Sequence, residues 1–436
     1  MDPTTVVILV LIGLFVLLAM RMPVAVALLL LSVIGIWAIR GPRAAMSSLA
    51  GIPYEFAAHW SLSAIPMFLL MGAFAHRGGL TSSLFKAARL WLGALPGGLA
   101  VATNVATAMF SSASGSSLAT TAAMSRLAGP EMLKAGYAPS LATSVIAASG
   151  TIGALIPPSI LFIVYGWYTE QPIGQLLMAG LLPGILTAAI YCVIIVVRCM
   201  LDPSVAPRTR ETSTWSERVA VLAEIWPVPL LIVVVMGSIY TGLATATEAA
   251  AIGSIATIAI IALRGQMTLE IAKDALLDAL RSSASVFFIA MGASLFANLI
   301  AVSGIPHQMG MLIEATNLTP GLLLAIFIAL YLVLGMFLDP IGIMLITLPI
   351  LLPAFNAMEM NLIWIGVLVV KMIEIGLITP PVGLNVFIVK GVLGDQVKLM
   401  DIFRGVTWFL LAEIVIVALL IAFPAISLFL PSMMAD

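Results

Sequence analysis

Two apolar segments, about half the chain length apart, each contain a doubled proline: Pro157-Pro158 and Pro380-Pro381. Each pair lies inside a stretch long enough to cross a bilayer. Proline removes a backbone donor, clashes with the carbonyl four residues back and disfavours the α conformation before it, so each pair predicts a broken helix at membrane depth. Because lipid cannot satisfy the freed backbone groups, each break must be buried in protein or line a cavity. Paired breaks in the two halves of a chain indicate the binding site of a transporter.

The composition predicts a membrane protein. Of the 436 residues, 62% are hydrophobic and 9% are charged, and the mean hydropathy is +1.18. A soluble domain carries about 25% charged residues, so we predict a polytopic, all-α membrane protein. The apolar run after Asp2-Pro3 has no cleavage-site pattern, and we interpret it as a first span rather than a removable signal peptide. The net charge of −1 gives no sign of a nucleic-acid partner, and none is expected.

Apolar stretches of spanning length predict about ten membrane spans. Two further apolar regions, 95–125 and 319–353, are interrupted, the first by Ser and Gly at 111–117 and the second by Asp339-Pro340. We interpret both regions as re-entrant helical hairpins, which enter and leave the membrane on the same side. The ten predicted spans lie at about residues 5–20, 23–39, 61–75, 140–166, 176–197, 226–242, 246–263, 283–302, 363–389 and 406–430.

The distribution of positive charge favours this topology, because cytoplasmic loops carry an excess of Lys and Arg. If the N-terminus is outside and both interrupted regions are hairpins, Arg40 and Arg43 fall outside and Lys371 falls within a span. The remaining 16 of the 19 Lys and Arg residues then fall inside. If either hairpin crossed the membrane fully, the later basic loops would change sides.

The same topology divides the chain into two similar halves of five spans and one hairpin each. Residues 1–200 form the first repeat, 201–218 a cytoplasmic linker and 219–436 the second repeat. An odd number of crossings per half makes the second repeat inverted relative to the first. Residues 78–91 and 266–281 mix charged and apolar side chains, which predicts amphipathic helices at the membrane surface. Ordinary cytoplasmic loops are the alternative.

The interruptions bring oxygen atoms and free amides to membrane depth. Hydroxyls and freed carbonyls at 111–117 suit a hard cation, and free amides at the start of a half-helix suit a substrate carboxylate. We expect each broken helix to face the hairpin of its own half. The alternative is that small residues here only allow close helix packing. The residues expected opposite or within the hairpins are Gly150, Thr151, Gly153, Pro157 and Pro158 in the first half, and Gly335, Asp339, Pro340, Gly376, Thr379, Pro380 and Asn385 in the second.

Charged residues inside apolar segments allow more than one interpretation. Asp339 is either a functional residue at a hairpin tip or the N-cap of the following helix, which begins with proline. Lys371 and Glu374 are three residues apart on one helix, which predicts a local ion pair rather than a role in transport. Thr245 and Glu248 before an apolar run predict a capping box.

No catalytic pattern accompanies the polar interruptions. A serine nucleophile at Ser114 would need a base, but the histidines His59, His76 and His307 lie in loops or at span ends. There is no metal-ligand cluster and no Gly-rich loop followed by Lys-Ser/Thr of the kind that binds ATP. We predict that the chain is not an enzyme and that its energy comes from an ion gradient or another subunit.

Several stretches together resemble the large membrane subunit of tripartite ATP-independent periplasmic (TRAP) transporters, nearly from end to end. One departure is Gln171-Pro172 before Ile173-Gly174, where the family tends to have Ser before Ile-Gly, and we expect it to affect only a loop. The stretches that carry the resemblance are Leu95 through Ala100, Phe110 through Thr120, Gly136-Tyr137, Gly153 through Gly166, Ala179 through Gly184, Thr247 through Ala250, Gly335 through Pro353 and Gly376 through Asn385.

The resemblance implies an inverted-repeat, sodium-coupled elevator in a bacterial inner membrane, with a periplasmic N-terminus. Two hairpins and two broken helices would move against a scaffold formed by the other spans. A small four-helix membrane subunit and a soluble periplasmic binding protein would be its partners. The binding protein would deliver an organic acid, such as a C4-dicarboxylate, sialic acid or a similar carboxylate.

The resemblance also implies at least two sodium ions beside one substrate site. The first Na⁺ would lie between Ser114, Gly115 and Ser117 on the hairpin and Gly150, Thr151 and Gly153 on the broken helix. The second would lie between Gly335 and Asp339 on one side and Gly376 and Thr379 on the other. The residues expected to bind substrate are Ser116, Ser117, Thr120, Pro157, Pro158, Pro380, Pro381 and Asn385.

Two other functions stay open on the sequence alone. One is a stand-alone sodium/dicarboxylate symporter with the same inverted hairpins, and the other is a membrane scaffold subunit that transports nothing. The sequence does not identify the acid, because in this family the separate binding protein largely selects it.

Overall fold

The computed structural model of the protein describes residues 2–207, 214–308, 311 and 319–434. Part of the predicted linker, 208–213, therefore lies outside the described residues. Helices account for the regular structure of the described residues, which contain no strand. This confirms the predicted all-helical fold class.

The first half contains ten α-helices, several of which begin or end at the predicted interruptions. A 3₁₀ turn at Trp60–Ser63 precedes α4, and a second 3₁₀ turn at Thr151–Ala154 follows α8. The helices are α1 (Pro3–Ala19), α2 (Val24–Arg40), α3 (Pro42–Ala57), α4 (Ala64–Arg77), α5 (Leu80–Leu92), α6 (Gly98–Ser114), α7 (Ser117–Lys134), α8 (Pro139–Gly150), α9 (Ile160–Thr169) and α10 (Ile173–Leu201).

The described residues of the second half, 214–308, 311 and 319–434, also form ten α-helices. The helices are α11 (Trp215–Ile225), α12 (Pro227–Tyr240), α13 (Ala246–Leu263), α14 (Leu269–Ser303), α15 (Pro320–Gly335), α16 (Pro340–Ala357), α17 (Leu362–Gly376), α18 (Leu384–Leu393), α19 (Leu399–Ala422) and α20 (Ala425–Leu428).

Within the described residues, five helices are individually long and apolar enough to cross a bilayer: α10, α13, α14, α16 and α19. The number rises to seven if α3 with α4, bent by 56°, and α11 with α12, bent by 44°, each count as one span. The protein is therefore a polytopic membrane protein, as predicted. Several of the ten predicted spans correspond to two shorter helices that meet at a break, and α16 is long enough to span although it was expected to form half of a hairpin.

Polar side chains cap the helices that begin at the interruptions. Ser116 accepts a hydrogen bond from the backbone of α7, Ser159 from that of α9 and Asp339 from that of α16. Thr245 and Glu248 form the predicted capping box at the start of α13. Each cap satisfies a backbone amide at the start of a helix that would otherwise lack a partner within the helix.

The linker begins with a polar turn outside the spans. The hydroxyl and backbone N–H of Ser204 both donate to the Asp202 carboxylate, and these bonds hold the pKa of Asp202 below its usual value. The helix α11 begins at Trp215, inside the predicted linker, where Thr214 and Glu217 form a capping box.

Two regions differ from the predicted elements. Residues expected to form an outside loop instead form α3. The predicted surface helix 266–281 and span 283–302 form one continuous helix, α14, because the small residues Ser282 and Ser283 do not interrupt helical hydrogen bonding. Its 35 residues measure about 52 Å at 1.5 Å per residue, well beyond the ~30 Å hydrocarbon core.

Residues 78–91 correspond to the helix α5 rather than to a loop. The position of α5 at a membrane surface stays a prediction.

The helices pack as two groups. In the first, which we call the outer group, α14 contacts α2, α3 and α4, while α13 contacts α4 and α12. In the second, the inner group, α6, α7 and α8 contact one another, α10 contacts α6, α8 and α19, and α19 contacts α8. The helix α18 contacts α7 and α8. The helices α15 and α17 pack together in the inner group. The two groups meet where α14 contacts α16 and α4 contacts α6.

Candidate functional site

The first interruption is a sharp reversal between α6 and α7. Gly115 has a φ of +66°, which favours glycine because it has no Cβ, and its N–H donates to the Ser111 carbonyl over 3.1 Å. Ser116 then caps α7, with its hydroxyl 3.4 Å from the Ala119 nitrogen. The Ser/Gly run therefore ends one helix and begins the next within two residues.

The break between α8 and α9 packs directly against this reversal. The Ile160 N–H donates to the Gly115 carbonyl over 3.3 Å, which joins the start of α9 to the hairpin tip. A Cβ atom on Gly153 would lie 3.1 Å from the Ser117 Cα, and one on Gly115 would lie 2.9 Å from the Pro158 carbonyl oxygen. Backbone meets backbone here, which only glycine allows.

The second interruption and the second break are in similar contact. The Cα atoms of Gly335 and Gly376 are so close that a Cβ on Gly376 would lie 2.5 Å from the Gly335 Cα. The Gly383 N–H donates to the Met336 carbonyl over 3.4 Å. Asp339 accepts a hydrogen bond from the Gly342 N–H at 2.9 Å, so the predicted capping role is present.

The two broken helices also touch each other. The Asn385 side-chain amide donates to the Ala147 carbonyl over 3.2 Å and so connects α18 to α8. A Cβ on Gly150 would collide with the Thr121 hydroxyl and would lie 3.3 Å from the Asn385 side-chain nitrogen. The polar breaks of the two halves thus form one continuous structure.

A cavity of about 530 Å³ lies between the inner and outer groups. The starts of three helices line it: Ser117, Leu118 and Ala119 of α7, Ile160 and Leu161 of α9, and Pro340 and Ile341 of α16. Because helix N-termini carry partial positive charge, three of them on one cavity favour an anionic ligand. The outer group contributes Leu69 from α4 and Arg281, Ser282, Ser285, Val286 and Ile289 from α14.

The cavity includes only some of the residues predicted from the sequence. Gly115, Ser116, Ser117, Asp339 and Pro340 line it. The remaining predicted residues lie outside its lining, in the packed breaks or the adjoining helices. They are Ser114, Thr120, Gly150, Thr151, Gly153, Pro157, Pro158, Gly335, Gly376, Thr379, Pro380, Pro381 and Asn385.

Four of the predicted ion ligands already have local hydrogen bonds: Asp339 caps α16, and the Ser114 hydroxyl donates to the Ser116 carbonyl over 3.3 Å. The Thr151 hydroxyl donates to the Ala148 carbonyl over 2.7 Å, and the Thr379 hydroxyl donates to the Ile375 carbonyl over 2.7 Å. By contrast, the hydroxyl of Ser117 is buried and has no partner in good hydrogen-bond geometry, although it lies beside the Glu374 carboxylate. Among the described residues, no three His, Cys, Asp or Glu side chains group as they would around a transition metal.

The predicted ion pair between Lys371 and Glu374 is wrong. The Lys371 ammonium instead contacts the Glu413 carboxylate on α19, at 2.7 Å, and donates to the Thr187 hydroxyl at 3.0 Å. The Tyr191 hydroxyl donates to the same Glu413 carboxylate. Residues three apart on a helix are neighbours, but packing of α17 against α10 and α19 offers Lys371 these better-placed partners.

Sequence reasoning missed several cavity residues and left the role of Glu374 open. Glu374 lines the cavity, as do Arg281, Ser282 and Ser285. Arg281 was assigned to a surface helix, and only the continuity of α14 brings it to the cavity. Glu413 was not singled out, although a lone carboxylate within an apolar span is a signal that sequence can provide.

A comparison with protein families decides which class of transporter has these features. Residues 11–426 match the family described as "Tripartite ATP-independent periplasmic transporter, DctM component". The chain belongs to this TRAP transporter family. The predicted resemblance is thereby confirmed, and so is the prediction that the chain is not an enzyme, because the DctM family is a transporter component.

Individual relatives agree with membership of the DctM family, and one solved structure has a similar fold. The chain is 35% identical to the C4-dicarboxylate TRAP transporter large permease protein DctM of Pseudomonas aeruginosa, over 88% of this chain and 89% of that protein. It is 32% identical to the ectoine TRAP transporter large permease protein TeaC of Halomonas elongata, over 98% of each. Its fold is similar to the crystal structure of the Alcanivorax borkumensis YdaH transporter, with a TM-score of 0.60 at 16% identity, over 88% of this chain and 89% of that chain.

Proposed function

We propose that this chain is the large permease subunit of a sodium-coupled TRAP transporter that imports an organic acid delivered by a periplasmic binding protein. The observation that carries the proposal is the cavity, where Arg281 and the uncharged N-termini of α7 and α9 suit an anion, while the carboxylates of Asp339 and Glu374 suit a coupling cation. The relatives named above support a carboxylate, since C4-dicarboxylates and ectoine both carry one. The size of the cavity, about 530 Å³, suits a small molecule.

Sodium is proposed as the coupling ion. Hydroxyl, carbonyl and carboxylate oxygens are the ligands that hard cations prefer, and both hairpin tips bring such groups to the cavity as Ser116, Ser117 and Asp339. We assign one ion to each hairpin and its own broken helix, with the ligand sets given by the family resemblance.

The proposed mechanism is an elevator. The packing of the helices supports it, because the cavity lies between two groups of helices rather than inside either one. The inner group, with both hairpins and both broken helices, would carry the ligand past α4 and α14 of the outer group.

The proposed partners are a small four-helix membrane subunit and a soluble binding protein. The complex would lie in a bacterial inner membrane, with the N-terminus of this chain in the periplasm.

The test of the proposed function is reconstitution into proteoliposomes, with the chain alone, with the small subunit, and with the small subunit and the binding protein. Labelled succinate and labelled sialic acid serve as probes, with an inward Na⁺ gradient or with choline in its place. Uptake should need all three components and sodium, and uptake by the chain alone would instead indicate a stand-alone symporter. If no probe moves under a sodium gradient in the full complex, and Asp339→Ala and Ser114→Ala do not alter assembly of the complex, a scaffold role gains support.

A further inference from the structure

The carboxylate of Glu374 is buried without a partner. Glu374 lies in α17, two residues before the end of that helix, and its side chain has no solvent exposure. Within the described residues, neither carboxylate oxygen has a partner in good hydrogen-bond geometry, although the Ser117 hydroxyl lies beside the carboxylate. An ionised carboxylate in such a place is costly unless a positive charge compensates it.

The nearby lysine does not supply this charge. Lys371 is three residues earlier on the same helix, but its ammonium contacts Glu413 at 2.7 Å and Thr187 at 3.0 Å. Lys371 and Glu413 are both buried and compensate each other. If all three groups are ionised, this part of the inner group carries one uncompensated negative charge, at Glu374.

One hydroxyl of the first hairpin lies beside this carboxylate. Ser117 lines the same cavity as Glu374, and its buried hydroxyl interacts with the Glu374 carboxylate. A hydroxyl oxygen beside a carboxylate that has no positively charged partner in the described part of the chain offers the oxygen ligands that a small hard cation prefers.

We propose that Glu374 and Ser117 bind a monovalent cation at the wall of the cavity. This site would join the first hairpin to the second broken helix, so it bridges the two repeats, unlike the two sodium sites expected within each repeat. The inference rests on the proposed sodium coupling and names the residue that supplies the negative charge.

The position of this site gives it a role in coupling. The carboxylate of Glu374 faces the same cavity that would receive an acidic substrate. Without a cation, it repels a substrate carboxylate, and with one bound the repulsion is removed. Cation binding would therefore have to precede substrate binding.

The test uses the full complex and its response to sodium. The midpoint of Na⁺-dependent thermal stabilisation and of Na⁺-dependent uptake is measured with Na⁺ replaced by choline at constant ionic strength. Glu374→Gln keeps the shape of the side chain and removes its charge, while Ser117→Ala removes one ligand. Glu55→Gln, an exposed residue on α3, is the matched control.

We expect Glu374→Gln to raise the Na⁺ midpoint by at least about tenfold and Ser117→Ala by a smaller factor, with Glu55→Gln unchanged. Glu374→Asp, which keeps the charge, should retain a Na⁺ response at a shifted midpoint, and it replaces the Gln variant if the latter does not assemble. A wild type that responds to Na⁺, with variant midpoints within twofold of it, would overturn this inference and leave the proposed function standing. This inference would also be overturned if Glu374→Gln changed the pH dependence of uptake but not the Na⁺ midpoint, because Glu374 would then bind a proton rather than Na⁺. A wild type with no Na⁺ response would overturn sodium coupling and this site together.

Discussion

The close contact between Gly335 and Gly376 gives the sharpest prediction, through the substitution Gly376→Ala. The added Cβ would lie 2.5 Å from the Gly335 Cα, 2.7 Å from its carbonyl carbon and 3.0 Å from its oxygen. Ordinary carbon contacts are about 3.5–4.0 Å, so the second hairpin and the second broken helix must move apart by roughly 1 Å. All three atoms belong to the backbone, so no side chain can turn away to make room.

The cost of this displacement follows from known substitutions. Overpacking costs about 1–3 kcal/mol, and replacing glycine by alanine in a helix returns about 0.5–1 kcal/mol. The net destabilisation is then about 1–2 kcal/mol, or about a 5- to 30-fold loss of the packed arrangement. For 436 residues the unfolding entropy is about 0.9 kcal/mol/K, so the melting temperature falls by only about 1–2 °C. Uptake is therefore the more sensitive measurement.

The assay is initial uptake by the reconstituted complex, normalised to the amount of folded protein. Gly391→Ala on α18 is the matched control, because a Cβ there has nothing within 4 Å. We expect Gly376→Ala to lose most of its uptake, and Gly391→Ala to keep the wild-type rate and to be as stable or slightly more stable. Equal uptake by the two variants would refute the argument that this backbone contact holds the second hairpin in its working position.

Three further predictions concern charged residues. Lys371→Met leaves Glu413 buried without its partner, so the complex should lose about 3–5 kcal/mol of stability in thermal unfolding. Adding Glu413→Gln should restore part of this stability. Equal stability of the single and double variants would contradict the pairing. Asp339→Ala should cost about 1 kcal/mol through loss of the N-cap, while Asp339→Asn keeps the cap; if only the Ala variant loses uptake, Asp339 is a cap and not an ion ligand. Arg281→Gln should raise the KM for an acidic substrate by about fivefold, since Arg281 lines the cavity, and should change stability little, since Arg281 is exposed. An unchanged KM would show that Arg281 does not bind the substrate.

The parts of this protein that sequence could predict are those determined by local chemistry. The helix breaks at Pro157-Pro158 and Pro380-Pro381 follow from the geometry of proline. The reversal at Gly115 and the cap at Asp339 follow from residues that suit those backbone positions. Each depends on a few consecutive residues, so no knowledge of the rest of the fold is needed.

The features that could not be predicted depend on residues far apart in the sequence. Lys371 has a possible partner three residues away but pairs with Glu413, 42 residues later, because three helices meet there. Arg281 reaches the cavity only because α14 continues without a break, and hydrophobic patterning alone divided that helix in two. Because Lys371 pairs with Glu413, Glu374 has no positively charged partner on its own helix, which the spacing of Lys371 and Glu374 in the sequence does not indicate.

The unbroken helix α14 has a consequence for how substrate preference can change in this protein. Its cavity-facing residues lie on a continuous rod, and near its start Arg77 of α4 contacts both Asp274 and Asp278, at 3.1 and 2.7 Å. Because α14 is continuous and anchored to α4 near its start, a change in the backbone of one turn would displace the turns that follow it. The opposite wall is just as constrained, because the hairpin tips and the breaks meet backbone to backbone at Gly115, Gly153 and Gly376. Divergence toward new acids should therefore proceed by exchange of single side chains that face the cavity from α14, such as Ser282, Ser285 and Ile289, while both backbones keep their positions.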